Sequence, residues 1–156
     1  IIIIKIIGGD FLQMKNINIF VYGSLREGFF NYDKYLAGKV VEKKDAILEN
    51  MRLYHMPYKG YPAITPGNDK VLGEIMVINE EEYDETVKDM DEMEGFISEN
   101  NPENEYHKIV LEVKNLQTNE KEKCFVYFYN KDKDKVFDSE SVYIPNGDWK
   151  EYMLTK

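Results

Sequence analysis

Glu94 and the run Tyr22, Gly23, Ser24, Leu25 are the residues of this 156-residue chain whose types and placement suit chemistry. Tyr83, Val87 and Met90 recur at i, i+4 and i+7, the spacing of one buried helical face, and the next position on that stripe is Glu94. The opposite face already carries Asp84, Glu85, Lys88, Asp89 and Glu92, so solubility does not require a carboxylate on the apolar side. Partial burial and the negative end of the helix dipole would both raise the pKa of Glu94. A carboxyl group poised towards neutrality is what a general acid/base needs. A helix that stopped at Glu92 would instead leave Glu94 in water.

The second candidate lies in IFVYGSLREGFF, residues 19–30, where β-forming residues run straight into a turn punctuated by Gly23, Ser24 and Gly28. Such a turn closes a hairpin, or presents backbone N–H groups to an anionic or carbonyl-bearing ligand. Ser24 has only Gly23 as a near glycine and so lacks a nucleophile elbow. A hydrolytic pairing of Ser24 with His55 or His107 is the alternative chemistry. Arg26 reads as the partner of a surface acid, or as a carboxylate ligand. Tyr106, Tyr127 and Tyr129 read as packing residues, each with one wet end.

These residues need elements to hold them. Residues 17–22 predict a first strand, apolar on both faces and therefore central. A short helical stretch is expected near residues 31–36, with strands over 39–41, 46–55 and 71–78. PYKGYPAITPGNDK, residues 57–70, predicts a loop from its Pro and Gly content. Asn79 followed by Glu82 is a capping-box pattern opening a helix that Gly95 should end. Two alternating runs, 105–113 and 122–129, predict a β-hairpin, and IPNGDWKEYM a turn with a final helical turn. The expected architecture is α+β: a small mixed, strongly curved sheet or barrel flanked by a few helices.

Composition narrows the function. The chain is 43% apolar and 13% aromatic, enough for one folded domain. A formal charge of −9 without a dense basic patch speaks against nucleic acid as a partner. The single Cys124 excludes an internal disulfide, suits a cytoplasmic location, and reads as a buried thiol. With only His55 and His107 beside it, widely spaced, no zinc pattern forms and no metal site is expected. The opening IIIIKIIGGDFLQMKN has an apolar run too short to span a bilayer and no secretory-signal layout. Residues 1–16 are therefore expected to be a non-core extension, either cloning-derived or read-through sequence ahead of Met14, with an added edge strand as the alternative. Residues 17–156 form the expected domain.

VYGSLR at the end of a first strand, followed some seventy residues later by MDEMEGF, resembles the γ-glutamylcyclotransferase-like family, which includes the AIG2-like proteins. GYPAI, VLGEIMVI, EYHKIVLEV and GDWKEY follow in that family's order, so the resemblance covers residues 17–152. It implies a small mixed β-barrel with helices, and a cofactor-independent enzyme of acyltransferase or lyase type. Such an enzyme releases 5-oxoproline and a free amine from a small γ-glutamyl amide, by attack of the substrate's own α-amine on its γ-carbonyl. By position, the resemblance makes Glu94 the acid/base and Tyr22, Gly23, Ser24 and Leu25 the substrate-binding loop, with Tyr127 as the hairpin tyrosine. Met90 replaces a usual leucine, and Lys108 stands where arginine is common, which puts any bidentate contact there in doubt. A serine hydrolase using Ser24, or a family member that binds a small ligand without turnover, are the competing readings.

Overall fold

The computed structural model describes residues 16–156, and the expected extension over residues 1–16 otherwise lies outside the described residues. Five strands close on one another: β1 (Ile19–Val21), β2 (Val40–Met56), β3 (Tyr61–Ile78), β4 (Tyr106–Asn115) and β5 (Lys121–Tyr129). The order β3-β1-β5-β4-β2, with β2 pairing back to β3, makes a mixed barrel, and β6 (Val142–Ile144) lies along the far end of β2. Only the β1–β5 contact is parallel. Closure depends on the length of β2, which follows β3 along one edge and meets β4 and then β6 along the other. Among the described residues three α-helices accompany the strands, α1 (Tyr83–Glu94), α2 (Phe137–Glu140) and α3 (Trp149–Thr155), and a π-helical turn over Tyr32–Leu36 falls on the stretch expected to be helical.

The central position expected of the first strand is found, although β1 is only three residues long. Ile19 and Val21 pack into the layer beneath α1, whereas Phe20 and Tyr22 point the other way, with Leu48, Leu53, Ile75, Val113 and Val126. A strand buried on both faces reads as a continuous apolar run, as this one does. The 39–41 and 46–55 runs are one strand. The charges between them stay at the surface, where Lys44 pairs with Glu122 at 3.1 Å and Lys43 with Glu27 at 3.1 Å.

The expected loop over residues 57–70 is not there. Gly60, at φ 86°, closes a tight turn by donating its N–H to Met56 O at 2.7 Å, and β3 begins at Tyr61. Prolines suggest a loop only when the neighbouring strands are unknown. Residues 61–66 pair with β2 alone, since β1 meets β3 only at 74–76, so this stretch is an open edge where Pro62 deletes no needed ladder bond. Pro66 sits where the register shifts, Met51 facing both Pro66 and Asp69. Prolines are tolerated in those two settings.

α1 forms where expected. Asn79 Oδ1 accepts from Glu81 N–H at 2.9 Å, and a turn of 3₁₀ geometry over Glu80–Glu82 leads into the helix. Tyr83, Val87 and Met90 are buried against the barrel, and burying a side chain such as Met90 is worth about 1.5–3 kcal/mol. Gly95, at φ 69°, ends the helix in a left-handed cap, with Phe96 N–H reaching Asp91 O at 2.9 Å. The expected final helical turn is α3, capped by Asp148, whose side chain accepts from Glu151 N–H at 3.0 Å.

Candidate active site

The barrel positions the 22–25 loop by bracing it from behind. A Cβ on Gly23 would lie 2.4 Å from Pro62 Cγ, so only glycine lets β1 turn this close to β3. Gly23 O accepts from Arg26 N–H at 2.9 Å and Ser24 O from Tyr32 N–H at 3.1 Å, fixing a compact turn. Among the described residues no acceptor takes the N–H groups of Gly23, Ser24 or Leu25. Arg26 does not pair with a surface acid alone. It lies between Asp148, at 3.2 Å, and the carboxylate of Glu74, at 3.5 Å, which is only 3% exposed. Glu74 also accepts from Glu27 N–H at 3.2 Å, so one buried carboxylate ties down the base of the loop.

Across from the loop, the last turn of α1 delivers Glu94. The helix does not stop at Glu92, and the side chain continues the buried stripe. Glu94 is half-buried: protein packs closely around it while the mouth of a cavity leaves it a path to solvent. Burial raises its pKa from 4.5 to about 8, and the carboxylates of Glu105 and Asp91 act in the same direction.

One cavity of about 270 Å³ is lined by Glu94 together with Tyr22, Gly23, Ser24, Leu25 and Tyr127, the residues singled out from the sequence. A carboxyl group therefore shares one partly closed space with the loop whose backbone N–H groups lack acceptors among the described residues. Buried tyrosines frame it. Tyr22 OH donates to Tyr127 O at 2.6 Å, Tyr106 OH to Pro62 O at 2.5 Å, and Tyr127 OH to Asp91 Oδ1 at 2.5 Å. Burial pushes the ionisation of Tyr22, Tyr106 and Tyr127 well above the ordinary value. They serve as neutral walls and donors. Lys108 meets the other oxygen of Asp91 at 2.9 Å, a single contact and not a bidentate one, and its ammonium lies over the rings of Phe96 and Phe125.

Glu105, Tyr61, Tyr106 and Asn31 also line the cavity and were not marked as site residues from the sequence. Asn31 Nδ2 donates to Ser24 Oγ at 2.7 Å. Neither histidine lines the cavity: His55 accepts from Trp149 Nε1 at 3.1 Å, and His107 Nδ1 lies 3.1 Å from Asn104 Nδ2. Ser24 thus has no imidazole beside it in this space. Among the described residues no group of three or more His, Cys, Asp or Glu side chains could hold a metal ion, and no helix is long and apolar enough to cross a membrane.

Known proteins share this fold. A family model described as gamma-glutamyl cyclotransferase, AIG2-like, matches residues 19–151. The gamma-L-glutamyl-butirosin B gamma-glutamyl cyclotransferase of Niallia circulans is 28% identical over 137 residues, covering 88% of this chain and 78% of that protein. The crystal structure of an AIG2-like protein from Mus musculus aligns with a TM-score of 0.57 at 25% identity, over 72% of this chain and 76% of the other. An uncharacterized protein from Pyrococcus horikoshii aligns with a TM-score of 0.56 at 24% identity, over 89% and 94%. With the match spanning the barrel, α1 and the start of α3, the chain belongs to the gamma-glutamyl cyclotransferase, AIG2-like family.

Proposed function

We propose that this protein cyclises small γ-glutamyl amides, releasing 5-oxoproline and a free amine, with Glu94 as the sole proton-transfer group. The substrate's α-amine nitrogen attacks its own γ-carbonyl carbon. A carbon–nitrogen bond forms in a five-membered ring, and the original amide carbon–nitrogen bond breaks. The amine must first lose a proton, and the departing nitrogen must gain one. Glu94 takes that first proton and returns it to the departing nitrogen. The second proton shed by the attacking nitrogen, once it is part of the ring, ends on the released amine as its ammonium ion, so no outside nucleophile or cofactor enters the balance. Folding the glutamyl chain back on itself brings the reacting atoms together, and that proximity supplies much of the acceleration. The N–H groups of Gly23, Ser24 and Leu25 receive the α-carboxylate or the oxyanion that develops on the γ-carbonyl oxygen.

The observation that carries this reading is Glu94 in one cavity with that loop, its pKa raised to about 8. A chain's α-ammonium group has an ordinary pKa of about 8, and that of a glutamyl unit lies somewhat higher beside its own carboxylate, so a carboxyl raised to about 8 removes most of the uphill cost of the proton transfer. A carboxylate at 4.5 would face an uphill transfer of about 5 kcal/mol. The test is 5-oxoproline release, read by mass spectrometry, from γ-glutamyl amino acids, amines and γ-glutamyl-lysine. Wild-type protein should release it from at least one of them. Glu94→Gln, which keeps size but cannot cycle a proton, should lose about 10²–10⁴ in turnover. Full activity in that variant would refute the assignment, and binding without turnover by the wild type would make the protein a ligand-binding relative.

A further inference from the structure

We infer that Glu105 is a positioning residue of this site: clamped on the cavity wall by Lys59 and Tyr61, its carboxylate keeps Glu94 able to hold a proton at neutral pH. The inference rests on the reading of Glu94 as the proton-transfer group and concerns what tunes it.

The fold goes out of its way to bring Glu105 there. After Gly95 the chain leaves the barrel for residues 96–104, then returns so that Glu105 N–H donates to Gly95 O at 2.9 Å. The fit is tight, since a Cβ on Gly95 would lie 2.8 Å from Glu105 Cβ. The excursion is pinned by Asn104, fully buried, whose Oδ1 accepts from Ile97 N–H at 2.6 Å and whose Nδ2 donates to Ser98 O at 2.8 Å. Asn130 secures the return from the other side, its Nδ2 donating to Asn104 O at 2.8 Å. The carboxylate is held as firmly. Tyr61 OH donates to Glu105 Oε2 at 2.6 Å, and Lys59 Nζ meets the same oxygen at 2.8 Å.

Glu105 and Glu94 line the same cavity, so two carboxyl groups share a space partly closed to water. Like charges placed so disfavour double ionisation, and the one without a cation is the one that keeps its proton. Lys59 stands by Glu105, and no lysine or arginine lines the cavity beside Glu94. On its own helix Asp91 also raises the pKa of Glu94, but Lys108 and the Tyr127 hydroxyl offset that charge. From the residue after β1 and from β3, β4 and β5 the groups that face it are Tyr22, Tyr61, Tyr106 and Tyr127, whose hydroxyls stay protonated. Glu105 is therefore the neighbouring charge whose removal changes most, and Lys59 sets how much of that charge Glu94 meets.

The experiment is a pH titration of the Glu94 carboxyl by ¹³C NMR in the full chain, its resonance assigned by loss in Glu94→Gln. Glu105→Gln should shift the midpoint down by about one pH unit, and Lys59→Met, which bares Glu105, should shift it up. The acid limb of the kcat/KM profile for 5-oxoproline release should move in the same directions. An unmoved midpoint in Glu105→Gln, or a downward shift in Lys59→Met, would overturn the inference. A Glu105 that merely stabilised the fold would lower activity at every pH without moving the midpoint. The titration needs no substrate, so a chain that released no 5-oxoproline would refute the proposed function while the midpoint shifts still decided the role of Glu105.

Discussion

Glu94→Gln should make the protein more stable at neutral pH, and by an amount that vanishes in acid. In the folded chain the Glu94 carboxyl holds its proton up to about pH 8, against an ordinary 4.5. Between those values the unfolded chain has released the proton and the native chain has kept it. The native state then binds more protons, and stability falls as pH rises. Below about 4.5 both states are protonated and the group contributes nothing, whereas above about 8 both are ionised and the loss is complete. At pH 7 the loss reaches about 3 kcal/mol at 1.36 kcal/mol per pH unit, which the carboxyl's path to solvent reduces to about 2 kcal/mol. Glutamine never ionises and escapes it. For a chain of this length, about 2 kcal/mol raises the melting temperature by roughly 4–8 °C. Melts of wild type and variant from pH 4 to pH 9 should converge near pH 4.5 and separate steadily to about pH 8. Carboxylates remote from Glu94 titrate alike in both proteins and cancel in the difference, whereas Glu105 and Asp91, coupled to Glu94, add to the gap between them. A gap independent of pH, or a variant that melts lower at pH 7, would refute the placement of Glu94 as a carboxyl kept neutral by its surroundings.

Two further outcomes follow from the loop. Ser24→Ala should keep most 5-oxoproline release, because Ser24 Oγ accepts from Asn31 and no histidine lines the cavity; loss of all turnover with an unchanged melt would instead make Ser24 a nucleophile. Arg26→Ala strands the Glu74 carboxylate, 3% exposed, with Lys43 at 3.9 Å as its remaining cation. It should cost about 3 kcal/mol of stability and raise KM through a loosened loop, read by chemical denaturation and steady-state kinetics; a neutral effect on both would show that the loop holds its shape without this pair.

What the sequence made legible was local. The stripe Tyr83, Val87, Met90, Glu94 needs only the pitch of one helix, and Gly95 marks its end by a conformation other residues avoid. The first strand could be read as central because it is apolar at every position, and its two faces do enter two different parts of the core. Composition misled where context reversed its meaning. Pro62 and Pro66 break a strand that has neighbours on both sides, but they are harmless along an edge and at a register shift, neither of which a single segment reveals.

The wall opposite the loop could not be read at all, for a related reason. Glu105 stands just ahead of β4, where charged residues are common, and the residues around it in the sequence do not distinguish it from a solvated charge. Its setting is made by Lys59 and Tyr61, more than forty positions away, and by two asparagines that turn the chain back to Gly95. Asn104, the residue before Glu105, shows its role only in the folded chain. An asparagine with no exposed surface must spend its hydrogen bonds on the backbone, so it marks a loop held in a fixed shape for a purpose. A sequence shows which groups can do chemistry when one element suffices to place them. What sets the charge state of Glu94 is a meeting of α1, the 96–104 excursion and the β2–β3 turn, and that meeting exists only once the barrel has closed.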